Sequence, residues 1–161
     1  MIVLGLDPGI ERTGYAFFKL VNKKPALISY GCIQTPKTES ISERIGILTD
    51  KLNNLVKINK PSVLAIEQIF FNVNKKSVIA VAQAQGAVLA LAAQYNMIVK
   101  FITPLQVKES LTGYGRSDKK SVEKMLKIIF GFKEIPKPDD IGDAIACGLA
   151  YCYRLNSAIH S

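Results

Sequence analysis

The sequence has one histidine and three cysteines in 161 residues. His160 falls in a predicted C-terminal tail, so the chain lacks the Cys/His ligand set that zinc usually requires. The same count excludes Ser-His and Cys-His nucleophile systems, unless the tail folds back over the domain. Cys32, Cys147 and Cys152 form no paired framework, and we therefore expect free thiols and a cytoplasmic, reducing location.

Long hydrophobic runs are also absent. The most apolar stretch, residues 78–93, is interrupted by two glutamines and a glycine and is shorter than the roughly 20 residues that a membrane span requires. The N-terminus has no basic region before its first acid, Asp7, which argues against a secretory signal. We expect no membrane association.

Acidic residues are scarce, above all in residues 51–100, where six lysines accompany the single acid Glu67. The whole chain carries 21 basic and 13 acidic side chains, a net charge of +8. Such a surface favours a polyanionic partner, with nucleic acid as the first candidate, although a merely solvated surface is an equal alternative. The length and the 48% apolar content indicate one globular domain, predicted over residues 1–156 with a short tail over 157–161.

Hydrophobic patterning predicts an α/β fold. An apolar run over residues 2–6 is typical of a buried strand, and two further strands, from Thr13 and over 26–35, complete a meander. A helix over 40–57 with a Ser40/Glu43 capping box follows, and then a strand over 63–66, a helix over 77–95 and a strand over 97–103. Three more helices are predicted: one begins at Pro104, one is capped by Ser117, and the last begins at Pro138. This order favours a mixed sheet flanked by helices on both faces.

Two predicted strands end in a lone acid, Asp7 and Glu67, at the sheet edge where α/β proteins bind ligands. A third acidic pair, Asp140 and Asp143, shares one face of the last helix. If these four carboxylates converge, they can hold two Mg²⁺ ions about 4 Å apart, which would activate water and stabilise the leaving oxygen of a phosphodiester. Each acid taken alone has a simpler explanation as a cap, a lysine partner or a helix-dipole partner.

Aromatic and basic residues follow the second strand-end acid. Phe70 and Phe71 lie in a segment of asparagines and lysines, where an exposed ring can stack on an unpaired base. We expect Phe70 to be exposed and Phe71 to belong partly to the core. Lys75 and Lys76 are candidate phosphate contacts, although solvated lysines at a helix start look the same. The apolar helix over 77–95 needs a second cover, supplied either by a symmetry mate or by the monomer itself.

Together these motifs resemble the bacterial RuvC-type Holliday-junction resolvases. The matching segments, in family order, are residues 4–9 (Leu-Gly-Leu-Asp-Pro-Gly) with 13–15 (Thr-Gly-Tyr), 65–70 (Ala-Ile-Glu-Gln-Ile-Phe), 83–86 (Gln-Ala-Gln-Gly), 106–108 (Gln-Val-Lys), 113–115 (Gly-Tyr-Gly) with Lys119, and 140–146 (Asp-Ile-Gly-Asp-Ala-Ile-Ala). The resemblance implies a ribonuclease-H-like fold with a mixed five-stranded sheet. It also implies a homodimer that nicks four-way DNA junctions symmetrically in recombination and repair, with Mg²⁺ or its substitute Mn²⁺ and a branch-migration motor as partner.

The resemblance also implies roles for single residues. The four acids named above fall on the family's metal-binding, catalytic carboxylates. Lys108 and Lys119 match lysines that contact DNA near the scissile phosphate, and Phe70 matches an aromatic residue that stacks on bases at the junction centre.

The sequence departs from the family pattern at three places, none of which removes a carboxylate. Ile10-Glu11 stands where the family usually has Ser-Arg, so we expect one basic contact near the site to be missing. Gln85 replaces a common arginine. Ile141-Gly142 replaces a usual Ala-Ala, and we expect the glycine to loosen that helical turn by up to about 1 kcal/mol.

Three alternatives to a junction nuclease remain open. A phosphate-binding ATPase related to sugar kinases would use the first turn as a phosphate hairpin, but 161 residues leave no room for its second domain. A resolvase-like nuclease that processes structured ribosomal RNA shares Asp7 and Glu67, but lacks the segment that contains Lys108 and Lys119. A non-catalytic junction-binding protein would use the acids only as caps and ion pairs.

Overall fold

A computed structural model describes residues 1–68 and 75–157, with the side chains of residues 75–77 excepted. The strands of that part of the chain are β1 (Ile2–Asp7), β2 (Arg12–Val21), β3 (Lys24–Gln34), β4 (Val63–Glu67) and β5 (Ile98–Ile102). Its helices are α1 (Ile41–Asn59), α2 (Lys75–Gln94), α3 (Pro104–Thr112), α4 (Lys119–Phe130) and α5 (Asp140–Ser157). The predicted meander and the later alternation of helices and strands are confirmed.

Two predicted helix starts need correction. The cap of α4 is Asp118, whose carboxylate accepts a hydrogen bond from the Ser121 amide, whereas we had expected Ser117. The last helix begins at Asp140, two residues after the proline expected to open it. The same helix reaches Ser157, and the rest of the predicted tail lies outside the described residues, so the proposed domain boundary stays a prediction.

The strands form one mixed sheet in the order β3-β2-β1-β4-β5, which confirms the predicted architecture. Strand β1 is antiparallel to β2 and parallel to β4, and β5 is parallel to β4. Leu6 of β1 pairs with Ile66 of β4. The next residue of each strand is therefore an acid, and Asp7 and Glu67 end side by side at the same edge of the sheet.

Helices cover both faces of the sheet because side chains alternate along each strand. Val3 and Ala65 face a core made with α3, α4 and α5. Leu4 and Leu64 face the opposite core, made with α1 and α2. Helix α5 is the most deeply buried of the five, since every residue from 144 to 152 is buried.

Glycine lets α5 lie directly on the sheet. A Cβ atom built at Gly5 would lie 2.6 Å from the Ala144 carbonyl oxygen, and one at Gly14 would lie 1.8 Å from that of Asp140. At both positions the neighbour is backbone, which cannot move aside as a flexible side chain can. The first turn of α5 is therefore fixed against the ends of β1 and β2.

The three cysteines are unpaired, as expected. Cys147 and Cys152 are fully buried, and burial raises the pKa of both thiols, that of Cys152 to about 12. Cys32 on β3 is half-buried, and burial raises its thiol pKa as well. Among the described residues, none of the helices is long and apolar enough to cross a bilayer.

Candidate active site

The first candidate ligand, Asp7, is the last residue of β1, and hydroxyl groups hold the turn that follows it. The Thr13 hydroxyl donates to the Gly9 carbonyl, and the Thr35 hydroxyl donates to the Ile10 carbonyl. Arg44 of α1 in turn donates from Nε to the Thr35 hydroxyl at 3.0 Å. This bracing fixes the backbone between the end of β1 and the start of β2.

Burial and mutual repulsion raise the pKa of the two strand-end acids. Burial is the larger cause for Asp7, and the charges of Glu67, Asp143 and Asp140 add to it, so that its pKa rises to about 8. Burial and the charge of Asp143 raise the pKa of Glu67 to about 7. The four predicted carboxylates therefore act on one another electrostatically, although they come from distant parts of the sequence.

Helix α5 supplies the other two acids, and each is bonded to a cationic side chain of the protein. Arg12 Nε lies 3.2 Å from Asp140 Oδ2. Lys119 Nζ donates to Asp143 Oδ2 at 2.9 Å. Burial still raises the pKa of Asp143, against the lowering effect of Lys119. The neighbouring Asp139 pairs with Lys137 and also lies 4.0 Å from Lys119 Nζ, so it belongs to the edge of the same charged group.

The donor set fits hard divalent cations. All four candidates are carboxylates, and two of them are buried beside like charges, an arrangement that a bound cation would relieve. Within residues 1–68 and 75–157, however, no three His, Cys, Asp or Glu side chains are arranged to hold an ion between them. Asp140 and Asp143 are instead paired with Arg12 and Lys119.

An open cleft of about 280 Å³ lies next to these acids. It is lined by Glu67, Pro104, Val107, Lys108, Lys119, Val122, Asp143 and Ala146. Two carboxylates and two lysines thus face the same space. That combination suits an anionic substrate whose charge is balanced partly by lysine and partly by metal.

Helix α3 places Lys108 at the cleft, and a capping box fixes the first residue of this helix. Thr103 accepts a hydrogen bond from the Gln106 amide, and the Gln106 side chain accepts one from the Thr103 amide. Pro104 takes the first helical position, as predicted, whereas the capping box itself was missed. The pattern Thr-Pro-Leu-Gln could have revealed it, since Gln three residues after a Thr cap is the usual signature.

The structure places only some of the predicted DNA contacts. Lys108 and Lys119 line the cleft beside the carboxylates. Phe70 and Phe71 lie outside the described residues. Lys75 and Lys76 belong to the first turn of α2, and their side chains are likewise outside the described part.

Sequence reasoning missed Arg12. Glu11, which stands where the family usually has arginine, pairs with Lys37 at 3.1 Å, and a basic contact was expected to be lost there. Arg12, one residue later, brings a guanidinium to Asp140 instead. Only the packing of β2 on α5 shows this, since spacing along the chain does not.

Gly142 has a packing role that its sequence context does not reveal. A Cβ atom at this position would lie 2.8 Å from the Ile135 side chain. The glycine therefore lets Ile135 pack against the first turn of α5, between the two acids. The expected loosening of that turn stays a prediction.

The sheet order, with acids at the ends of β1 and β4 and on the adjoining turn of α5, defines a nuclease of the ribonuclease-H-like fold. The crossover junction endodeoxyribonuclease RuvC family model matches residues 3–152. The chain is 42% identical to the RuvC of Dictyoglomus thermophilum over 154 residues, which is 96% of this chain and 98% of that one. It is also 42% identical to the RuvC of Caldicellulosiruptor saccharolyticus, over 98% of this chain and 95% of that one.

Solved structures agree with the sequence comparisons. The Thermus thermophilus RuvC structure has a TM-score of 0.89 and 30% identity, over 98% of this chain and 97% of that one. A second structure, the T. thermophilus RuvC in complex with a Holliday junction substrate, has a TM-score of 0.90 at the same identity, over 98% of this chain and 96% of that one. The protein belongs to the RuvC family of crossover junction endodeoxyribonucleases.

Proposed function

We propose that this protein resolves four-way DNA junctions by symmetric paired nicking that depends on Mg²⁺. One observation carries the proposal: burial and neighbouring carboxylates raise the pKa of Asp7 and of Glu67, at the ends of β1 and β4, beside a cleft lined by two lysines. The T. thermophilus relative bound to a Holliday junction supports the choice of substrate. Asp7, Glu67, Asp140 and Asp143 are the proposed catalytic metal ligands.

Each part of the site has a distinct task in this proposal. Asp7 and Glu67, held rigidly at two parallel strand ends, fix the position of the ions and of the phosphate beside them. Asp140 and Asp143 close the ligand set from α5. Divalent ions held by these carboxylates would supply an activated water and would stabilise the leaving oxygen. Mn²⁺ is expected to substitute for Mg²⁺ because it accepts the same oxygen ligands.

The lysines position the DNA. Lys108 and Lys119 face the cleft from α3 and α4, and their ammonium groups would bind the phosphates that flank the scissile bond. Lys119 also donates a hydrogen bond to Asp143, so the same side chain would bind DNA and orient a proposed metal ligand. Phe70 remains a proposed stacking contact at the junction centre, on the strength of the family resemblance. Lys75 and Lys76 remain proposed phosphate contacts, on the evidence of their residue type and neighbours.

The test is incubation of a labelled synthetic four-way junction with the full chain, with and without Mg²⁺, beside a linear duplex of equal length. We expect two symmetric nicks on the junction, none on the duplex and none without metal. The Asp7→Asn variant should abolish nicking and retain junction binding, because it removes a ligand without removing a positive charge. Mg²⁺-stimulated nicking by Asp7→Asn would contradict the catalytic assignment.

Matched variants separate specific from general effects. Asp50→Asn removes an exposed acid from α1 and should leave nicking unchanged. Lys108→Gln should weaken junction binding and slow nicking, whereas Lys57→Gln, on the far face of the sheet, should do neither. Cleavage of structured RNA in preference to the junction would favour the ribosomal RNA alternative. Tight junction binding with no nicking under any divalent metal would favour a non-catalytic protein.

We also propose a homodimer, and the surface of α2 supports it. Ala84, Val88 and Leu91 are buried against the sheet, but Ile79 remains 62% exposed and Gly86 has open space where a side chain would be. A second copy packed on this face would cover it, and a two-fold dimer would present two sites to two strands of one junction.

Two further expectations complete the proposal. A branch-migration motor is the proposed partner at the junction, on the strength of the family resemblance. A reducing cytoplasm is the proposed location, supported by the three unpaired cysteines and by the bacterial sources of the relatives.

A further inference from the structure

Arg12 occupies a position that the proposed reaction does not yet explain. Arg12 is the first residue of β2 and directly follows the turn that the Thr13 and Thr35 hydroxyls hold. A Cβ atom built at Gly9 would lie 2.2 Å from the Arg12 carbonyl oxygen. The backbone is thus closely confined, while the side chain is half exposed. In this position the side chain reaches Asp140, with Nε 3.2 Å from Oδ2.

The charges around Arg12 leave Asp140 as its partner. Glu11, the neighbouring acid on the chain, is held by Lys37, and Asp143 is held by Lys119. Arg12 Nε lies 3.2 Å from Asp140 Oδ2, and among residues 1–68 and 75–157 no other acid forms an ion pair with the guanidinium. A guanidinium carries five donors in a planar fork that matches phosphate oxygens, so most of its binding capacity remains unused by Asp140.

The carboxylate of Asp140 therefore attracts two different cations. Arginine keeps its charge at every relevant pH, so it cannot give way to a divalent ion by losing a proton. A divalent ion and the guanidinium would also repel each other across one carboxylate. An ion that takes Asp140 Oδ2, the oxygen that faces Arg12 Nε, would displace the arginine. The displaced guanidinium, being half exposed, would be free to bind a phosphate of DNA held at the same site.

We propose that Arg12 exchanges Asp140 for a DNA phosphate when divalent metal binds, and so couples metal binding to DNA binding. The inference rests on the proposed function, because it needs Asp140 to be a metal ligand. Arg12 is in this view a positioning residue that weakens metal binding when DNA is absent and strengthens DNA binding when metal is present.

The first measurement is Mn²⁺ binding to the full chain without DNA, followed by electron paramagnetic resonance of the free ion. The Arg12→Gln variant should bind Mn²⁺ about three- to tenfold more tightly than the parent, as expected for removal of a partly exposed ion pair and its positive charge. Lys37→Gln is the matched control, since it removes a nearby exposed lysine from an ion pair with Glu11. It should leave Mn²⁺ affinity unchanged.

The second measurement is junction binding in Ca²⁺ by fluorescence anisotropy over a series of salt concentrations. Arg12→Gln should bind the junction more weakly, with a salt slope smaller by about one. Arg12→Lys keeps the charge but lacks the planar fork, so it should retain the parent's Mn²⁺ affinity and bind the junction with intermediate strength. Circular dichroism of each variant establishes that it is folded.

Opposite shifts in the two affinities would support the exchange. The proposed exchange would be overturned if Arg12→Gln bound Mn²⁺ no more tightly than Lys37→Gln does. The Asp140→Asn variant distinguishes failure of the exchange from failure of the proposed metal site. If Asp140→Asn weakens Mn²⁺ binding while Arg12→Gln does not strengthen it, the exchange is wrong and the proposed function stands. If Asp7→Asn and Asp140→Asn both bind Mn²⁺ as the parent does, the proposed metal site is itself wrong.

Discussion

Replacement of Gly14 by alanine tests whether the position of α5 controls the site. A Cβ at this position would lie 1.8 Å from the Asp140 carbonyl oxygen and 2.4 Å from its carbonyl carbon. Ordinary contact between such atoms begins near 3.4 Å, so β2 and the first turn of α5 must separate by about 1.6 Å. Both atoms belong to the backbone, and no rotamer change can relieve the overlap.

This displacement should affect activity far more than folding. Overpacking of a core contact costs about 1–3 kcal/mol, which a domain stable by about 5–15 kcal/mol survives. A misplacement of about 1 Å in an active site can cost about 100-fold in rate. Because Asp140 and Asp143 both lie on the displaced turn, we expect Gly14→Ala to stay folded and to lose at least about 100-fold in nicking rate.

The assays are urea unfolding and single-turnover nicking of a synthetic junction at saturating protein. Gly46→Ala is the control, since nothing lies within 4 Å of a Cβ built at this position in α1. It should gain about 0.5–1 kcal/mol of stability, because alanine favours a helix more than glycine does, and it should keep its nicking rate. A Gly14→Ala protein that nicks junctions at the parental rate would refute the reasoning.

Three other predictions concern the site, the proposed dimer and a helix cap. The pKa of Asp7 rises from 3.8 to about 8 on folding, so the folded chain retains a proton that the unfolded chain loses, and the free energy of unfolding without metal should fall between about pH 4 and pH 8. Urea titrations should show a shallower fall for Asp7→Asn and for the parent in Mg²⁺. An equal slope in all three would contradict the raised pKa of Asp7. Gly86→Leu should convert a dimer to a folded monomer in sedimentation, whereas Gly46→Leu should not, and a Gly86→Leu dimer would place the interface elsewhere. Thr103→Ala removes the cap of α3 and should cost about 1 kcal/mol in urea unfolding, so no change in stability would show that the capping box contributes little.

Local signals in the sequence predicted much of the fold. The apolar runs that stop at Asp7 and Glu67 marked two buried strands, because a central strand has no room for charge until it reaches the sheet edge. The Ser40/Glu43 capping box, confirmed by both of its hydrogen bonds, marked the start of α1. These features depend on residues close together in the chain, which is why they could be predicted.

Features that depend on distant contacts could not be predicted in the same way. The contact of Arg12 with Asp140 joins residues 128 positions apart, and it arises from the close approach of β2 to α5. The predicted start of α5 was wrong for a local reason: Pro138 is suited to a first helical position, but the helix begins two residues later, at Asp140. A lysine partner for each acid was one of the alternatives that the sequence left open, but nothing in the sequence indicated that Arg12 would pair with Asp140. The shared metal site of the four acids stays a prediction.

The buried thiols have a practical consequence for work on this protein. Thiolate, and not thiol, reacts with maleimide and disulfide reagents, so Cys147 and Cys152 should react very slowly in the native state. Only Cys32 is reachable enough to need replacement. A spin label or fluorophore could then be attached at a chosen surface position without rebuilding the core. Distances between labels could report whether two subunits assemble on a junction and how they are arranged.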